Sequence, residues 1–153
     1  MRDADDCTAI VEIAKDTYEI DEFDCGSIFV LVGKDKAMVI DTGTGIGDLP
    51  AVIRKITDKP IVLVITHAHG DHTGGLGWFD EYYMNAADEG KYDMGGADFR
   101  RNYAHSIAQR SGKTYPYDPE TDIQPWPRTR TPCAATWRMG RALTWATAWS
   151  PPC

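Results

Sequence analysis

The chain has 153 residues, enough for one ordinary domain with its own hydrophobic core but few for two. Its formal net charge of −7 and the lack of a basic stretch argue against a nucleic-acid partner. The acidic N-terminus is unlike a signal peptide, and no apolar run approaches the roughly 20 residues of a membrane span. We therefore expect a soluble, cytoplasmic protein with a small-molecule partner, no membrane partner and an oligomeric state that the sequence does not specify.

The predicted elements begin with strands. Residues 8–40 alternate apolar and polar side chains across turn-like breaks, which predicts an antiparallel meander. Residues 49–56 carry apolar side chains at helical spacing, with Asp48 as a plausible N-cap. The run KPIVLVIT, residues 59–66, is typical of a strand covered on both faces. Strand, helix and strand would form a βαβ unit, and residues 81–112 then predict a short strand and two helices.

The end of the chain differs in composition. All 23 acidic residues lie at or before Asp122, whereas residues 125–153 hold four arginines and four of the five tryptophans without any period. We therefore divide the chain into a partial domain, residues 9–124, and an atypical tail, residues 125–153, that is frameshifted or disordered. The alternative is a native tail that binds a partner. The cysteines form no C-x-x-C pair, so free thiols are expected at Cys7, Cys25, Cys133 and Cys153.

Three of the four histidines fall in one short segment, ITHAHGDHTGG, residues 65–75. In extended backbone His67, His69 and Asp71 would point to one side, and His72 would join them only if the chain turns. Imidazole and carboxylate ligands suit zinc and iron, so two metals could share this loop. The carboxyl end of a parallel strand is also where α/β folds place their sites. The segment therefore predicts a hydrolytic metal centre.

These residues resemble a known family. THAHGDHTGG, residues 66–75, is similar to the H-x-H-x-D-H signature of the metallo-β-lactamase-fold hydrolases, and VIDTGTGIG, residues 39–47, resembles their upstream aspartate motif. The resemblance implies an α/β fold: the N-terminal part of an αβ/βα sandwich, with the rest truncated. It implies two zinc ions, with iron or manganese as alternatives.

The same resemblance assigns roles to the matching residues. His67 and His69 would belong to a first metal site, and Asp71 and His72 to a second. Asp71 would also be catalytic, because it would orient the attacking hydroxide and accept its proton. Asp41 would support the ligand loop from behind.

The family's later ligands are not found. A third histidine, a bridging aspartate and a final histidine have no counterpart, and His105 lies in a predicted helix without a glycine-rich loop. We therefore expect a chain that binds one metal weakly, hydrolyses poorly and is poorly soluble. The substrate would be an ester, thioester, lactone, β-lactam or phosphodiester. Its binding residues are unknown, with Tyr82, Tyr83 and Arg100 as unranked candidates.

Other interpretations remain open. The first is a non-catalytic metal-binding or interaction protein whose Trp/Arg-rich tail binds a partner. VIDTGT also matches the aspartic-protease pattern, but a βαβ unit has no place in that all-β fold. The glycines of TGTGIGD resemble a nucleotide loop, although Asp48 stands where the last glycine is required.

Overall fold

The computed structural model describes residues 9–88, 96–123 and 133–137. These form one mixed sheet of seven strands in the spatial order β1 to β7. Strands β1 to β4 are antiparallel, and β4 to β7 are parallel. The strands are β1 Ala9–Ala14, β2 Thr17–Asp21, β3 Ser27–Val32, β4 Ala37–Ile40, β5 Ile61–Ile65, β6 Glu81–Asn85 and β7 Cys133–Trp137.

The predicted antiparallel meander is confirmed. Alternating side chains place one apolar set on the buried face of the sheet, and its members pair across the strands: Ile20 with Ile28, and Val30 with Val39. The edge strand β1 is largely exposed, and its Val11 is 52% accessible. The meander therefore supplies part of the core and ends at the aspartate that follows β4.

The predicted βαβ unit is also confirmed. Helix α1, Leu49–Arg54, begins where the Asp48 side chain accepts a hydrogen bond from the Ala51 amide at 2.9 Å. Its buried side chains pack on the sheet, and β5 then runs parallel to β4. This connection brings the end of β5 beside the end of β4.

Beyond β5 lie the short helix α2, Gly70–Thr73, the helix α3, Ala97–Ser111, and the short helix α4, Pro119–Asp122. Where two helices were expected in residues 81–112, the described part of that stretch holds one α-helix and the single 3₁₀ turn Ala86–Asp88. Glycine is a poor helix former, and α3 begins only after Gly96. No helix in the described ranges is long and apolar enough to cross a membrane.

A second, smaller core places α3 and α4 against the β2–β3 hairpin. It is built from residues of the β2–β3 turn, the loop after β4, α3 and α4: Phe23, Cys25, Ile46, Ala104 and Ile123. Cys25 is a free, buried thiol, as predicted, and burial raises its pKa to about 11. This small core holds α3 beside the two loops that form the candidate site.

The strand β7 falls within the atypical tail. Its five residues pair in parallel with β6, from Cys133 opposite Glu81 to Trp137 opposite Asn85. The remainder of residues 125–153 lies outside the described ranges, as do Cys7 and Cys153. A frameshifted or disordered tail stays a prediction, as does the boundary at residue 124.

Candidate metal centre

The histidine loop, residues 66–75, leaves β5 at its carboxyl end and turns into helix α2. His69 is the N-cap residue of α2, and Asp71 and His72 lie within the helix. Because the helix turns the chain, the His72 ring returns to the side of His67. The chain therefore makes the turn that His72 needs in order to join His67, His69 and Asp71.

The three imidazoles lie in contact. The ring centroid of His67 lies 4.7 Å from that of His69 and 4.1 Å from that of His72. Nε2 of His67 lies 3.1 Å from Nδ1 of His69, a hydrogen bond whose donor depends on the tautomer. None of the three rings is buried, so ligand donors are clustered at an accessible surface.

Asp71 adjoins the histidines on one side and helix α3 on the other. Its Oδ2 lies 3.7 Å from Nε2 of His72 and accepts a long hydrogen bond of 3.4 Å from the hydroxyl of Tyr103. The single proton of that hydroxyl is shared with the Cys25 carbonyl, whose oxygen lies 3.2 Å away. Burial, followed by the Asp71 charge, raises the pKa of Tyr103, so its hydroxyl stays a donor at neutral pH. The sequence did not indicate Tyr103, because it lies 32 residues beyond Asp71.

Asp41 lies directly behind the histidine loop. It is 4% exposed and adopts a left-handed backbone with φ of 64°. Its carboxylate accepts from the Thr66 amide at 2.8 Å, the Thr66 hydroxyl at 2.7 Å and Nδ1 of His72 at 2.8 Å. These three bonds join the end of β4 to both ends of the ligand segment.

The backbone of the aspartate loop, residues 41–47, is bonded directly to the histidine loop. The Thr42 amide donates to the His72 carbonyl at 2.9 Å, and the Gly74 amide donates to the Gly43 carbonyl at 2.8 Å. A Cβ at Gly74 would lie 2.2 Å from the Thr44 carbonyl oxygen. Glycine is therefore required at position 74 by the close approach of the two loops.

Glu22 supports the aspartate loop from the β2–β3 turn. It is 4% exposed, and its carboxylate accepts hydrogen bonds from the amides of Thr44, Gly45 and Ile46. Burial raises its pKa to about 7, against the lowering effect of those amides. No sequence pattern indicated Glu22, because it stands among acidic residues that are typical of an exposed turn.

The unranked substrate-binding candidates lie elsewhere than expected. Arg100 is 1% exposed, and its Nη1 donates to the carbonyls of Thr44 at 3.1 Å and Gly74 at 3.3 Å. Burial lowers its pKa, and the Glu22 charge opposes that shift. Tyr82 is 1% exposed in the main core, and Tyr83 is half-buried on β6. Arg100 and Tyr82 are therefore wrong as residues of an open pocket wall, because they are closed within the protein.

His105 does not join the cluster. Its side chain is 57% exposed on α3, and Nε2 lies 3.5 Å from the Glu120 carboxylate. This exposed contact with Glu120 lies away from the histidine loop.

The chemistry of the donor set fits a transition metal, because three imidazoles and one carboxylate are ligands that zinc and iron accept. In the described part of the chain, however, no three His, Cys, Asp or Glu side chains converge as a metal requires. His67 and His69 bond to each other, and Nδ1 of His72 is held by Asp41. The residues thus fit a metal in chemical kind, and their roles as ligands stay predictions.

Comparison with known proteins gives three representative relatives. The chain is 32% identical over 71 residues to "Acyl-coenzyme A thioesterase MBLAC2" of Gallus gallus, an alignment that covers 40% of this chain and 26% of that protein. The chain thus spans about a quarter of the length of this curated relative.

Among solved structures, DIM-1 metallo-β-lactamase exposed to ceftazidime matches with a TM-score of 0.47 and 18% identity, over 56% of this chain and 48% of that one. The mono-zinc form of the metallo-β-lactamase FIM-1 from Pseudomonas aeruginosa matches with a TM-score of 0.43 and 21% identity, over 53% and 43%. TM-scores below 0.5 do not by themselves establish a shared fold.

The family assignment rests on a longer match. The family model for the metallo-beta-lactamase superfamily matches residues 23–131, which is more than half of the chain and includes both the aspartate loop and the histidine loop. With the α/β sheet and the motif at the end of β5, this match establishes that the chain belongs to the metallo-β-lactamase superfamily.

Proposed function

We propose that this chain belongs to a metal-dependent hydrolase, in which His67, His69, Asp71 and His72 hold the metal. One observation carries the proposal: the carboxylate of Asp41 bonds Nδ1 of His72 at 2.8 Å, while Nε2 of the same ring faces Asp71 at 3.7 Å. A carboxylate behind a histidine, with the other ring nitrogen directed to a ligand cluster, is the usual support of a metal-binding imidazole.

Asp41 fixes the tautomer of His72. Because a carboxylate only accepts hydrogen bonds, Nδ1 of His72 carries the proton and Nε2 keeps its lone pair for a ligand. The same carboxylate fixes Thr66, whose hydroxyl lies 3.0 Å from Nδ1 of His67. The buried Asp41 carboxylate thereby orients candidate metal ligands at both ends of the histidine loop.

A bound zinc-type ion supplies the chemistry that these side chains lack, since it lowers the pKa of a coordinated water toward ~7 and polarises the scissile group. Asp71 would orient the attacking water and accept its proton at Oδ2. The hydroxyl of Tyr103 donates to that oxygen at 3.4 Å and so restricts the rotation of the carboxylate. Tyr103 therefore acts on the reaction through Asp71.

Thioesters are the substrate class to test first, because the curated relatives at 31–34% identity are named acyl-coenzyme A thioesterases. Esters, lactones, β-lactams and phosphodiesters complete the panel, since one fold hosts many substrates. The activity of a whole relative comes to this chain only as a proposal.

The test is hydrolysis of an acyl-coenzyme A by the zinc-loaded chain, compared with Asp71→Asn. The variant should lower kcat by about 10²-fold or more, in the range of general-base contributions. Asp58→Asn, an exposed carboxylate outside both loops, is the matched control and should retain wild-type turnover. Turnover that is equal in wild type and Asp71→Asn would contradict the proposal.

A second function has one observation in its favour. Within the described ranges no three donors converge, which is what a weak, non-catalytic metal site or an interaction protein would show. The tryptophans and arginines of residues 125–153 would then bind a partner. One weakly held metal without turnover on any substrate of the panel would favour this function over the hydrolase.

A further inference from the structure

The buried carboxylate of Glu22 lies one step behind the metal loop and is not used by the chemistry described above. Its two oxygens accept three consecutive backbone amides, from Thr44 at Oε2 and from Gly45 and Ile46 at Oε1, the last two at 3.0 and 2.9 Å. Burial of a carboxylate costs free energy unless its oxygens accept hydrogen bonds. A surface turn can form without such a group. The three bonds give this carboxylate a specific task in the loop.

The contact is closely fitted from the loop side as well. Gly43 has φ of +64°, and a Cβ there would lie 2.4 Å from Oε2 of Glu22. Position 43 therefore favours glycine for two reasons, its left-handed backbone and the close approach of the carboxylate. The loop and the acid are shaped to each other.

The aspartate loop in turn forms hydrogen bonds with the histidine loop. The Gly43 carbonyl accepts the Gly74 amide, and Thr42 bonds the His72 carbonyl through both its amide and its hydroxyl. On the opposite side of the loop, Arg100 binds the carbonyls of Thr44 and Gly74. Glu22 is thus connected to His72 by two sets of hydrogen bonds. Arg100 stabilises the contact between the two loops.

We propose that Glu22 is a positioning residue of the metal site, whose ionised carboxylate holds the aspartate loop in the shape that sets the histidine loop. The inference rests on the proposed metal-binding function for its consequence, but the contact itself can be tested without metal. In this proposal the β2–β3 turn, which lies outside both sequence motifs, helps to position the metal site.

Glu22→Gln tests the proposal with little change in shape. An ionised carboxylate has only acceptors, whereas the amide of glutamine has one oxygen and one donor group, so one of the three backbone amides would face a donor. Measurements at pH 8.5 lie above the Glu22 pKa of about 7, so the wild-type group is ionised. Val30→Ala, in the main core on β3, is the matched control for a general loss of stability.

The first readout is amide hydrogen exchange of the metal-free chain. In Glu22→Gln, the amides that join the two loops, those of Thr42, Gly74 and Gly75, should exchange about tenfold faster or more relative to the β3–β4 amides. In Val30→Ala that ratio should stay at its wild-type value. An unchanged ratio in Glu22→Gln would overturn the proposal, whatever the metal does.

The second readout is zinc affinity of the same three proteins. Glu22→Gln should bind zinc about 10-fold more weakly than wild type, while Val30→Ala stays near the wild-type value. Equal affinity in wild type and Glu22→Gln would overturn the positioning role. A wild-type chain that binds no zinc would instead contradict the proposed function, and the exchange ratio would still decide the role of Glu22.

If Glu22→Gln does not fold, Glu22→Asp takes its place, because it keeps the charge but shortens the reach by one methylene. The same faster exchange at the joining amides is expected. Exchange in Glu22→Asp that matches wild type at all three amides would overturn the proposal equally.

Discussion

The Asp41 carboxylate has three hydrogen-bond donors around it, two from Thr66 and one from His72. We predict that Asp41→Asn lowers zinc affinity about 10–100-fold, because an amide cannot accept from all three. Asparagine tolerates the left-handed backbone at φ 64°, so the fold should persist. Zinc titration followed by thermal unfolding of the metal-free variant measures both effects. An Asp41→Asn chain with wild-type zinc affinity would show that the carboxylate does not support the ligands.

Glu22 gives the molecule a pH dependence that can be calculated in sign. The folded chain keeps the Glu22 proton up to a pKa of about 7, whereas the unfolded chain releases it near the ordinary glutamate pKa of 4.5. Between these values the folded state binds more protons, so the free energy of unfolding falls as pH rises, by up to about 3 kcal/mol. Ionisation of Glu22 therefore lowers the free energy of unfolding. The ionised carboxylate can accept hydrogen bonds from all three amides.

Urea unfolding of wild type and Glu22→Gln at pH 4.5 and pH 8 measures this effect. The wild type should lose stability relative to the variant across that interval, and the subtraction removes other titrating groups, including the histidines. A difference between the two proteins that is the same at both pH values would contradict a raised Glu22 pKa.

At single positions, the sequence predicted the candidate ligands and the supporting Asp41, and it missed Glu22 and Tyr103. His67, His69, Asp71 and His72 were found because their spacing after an apolar strand is itself the signal. Glu22 and Tyr103 were not, because their partners lie 22 to 32 residues away and nothing local distinguishes them from solvent-facing neighbours. Arg100 was named only as an unranked substrate-binding candidate, whereas the structure shows a buried contact to two carbonyls.

Among the elements, helix α2 is the one on which the site depends. It spans four residues, and its position comes from the aspartate loop, which contacts Gly74 just beyond its end. We predict that Gly74→Ala destabilises the chain by at least ~2 kcal/mol and lowers its zinc affinity, because the new Cβ would overlap the Thr44 carbonyl. Chemical denaturation and zinc titration measure the two losses.

Gly96→Ala is the matched control, because a Cβ at that position meets nothing within 4 Å. It should leave both stability and zinc affinity near wild type. A Gly74→Ala chain that behaves like Gly96→Ala would mean that the two loops can separate without consequence for the ligands.

The elements also differ in how far periodicity could predict them. The βαβ unit was predicted, because Leu49, Val52 and Ile53 form a regular apolar stripe and β5 is a continuous apolar run. Helix α3 buries only Arg100 and Ala104 and exposes Phe99 at 54%, so it carries no such stripe. Its placement comes from contacts with distant loops, which a local pattern does not record.

For the whole molecule, the sheet has one face that packs into the main core and another that carries half-buried apolar side chains. Phe29, Ile40, Val64 and Tyr83 are successive partners across β3 to β6 on that second face. The α/β class, the antiparallel meander and the βαβ unit follow from the pattern of the sequence. The sequence does not indicate what packs on the second face. A row of half-buried apolar side chains indicates burial but does not identify the partner. The poor solubility expected from the sequence therefore stays a prediction.

The central claim is that the histidine loop holds a metal ion. The most direct test is a zinc titration of the metal-free chain, compared with His67→Ala in the loop and His105→Ala on α3, whose exposed ring faces Glu120. We predict that wild type and His105→Ala bind zinc equally, and that His67→Ala binds at least about 10-fold more weakly. Binding that survives His67→Ala unchanged, or a wild-type chain that takes up no zinc, would contradict it.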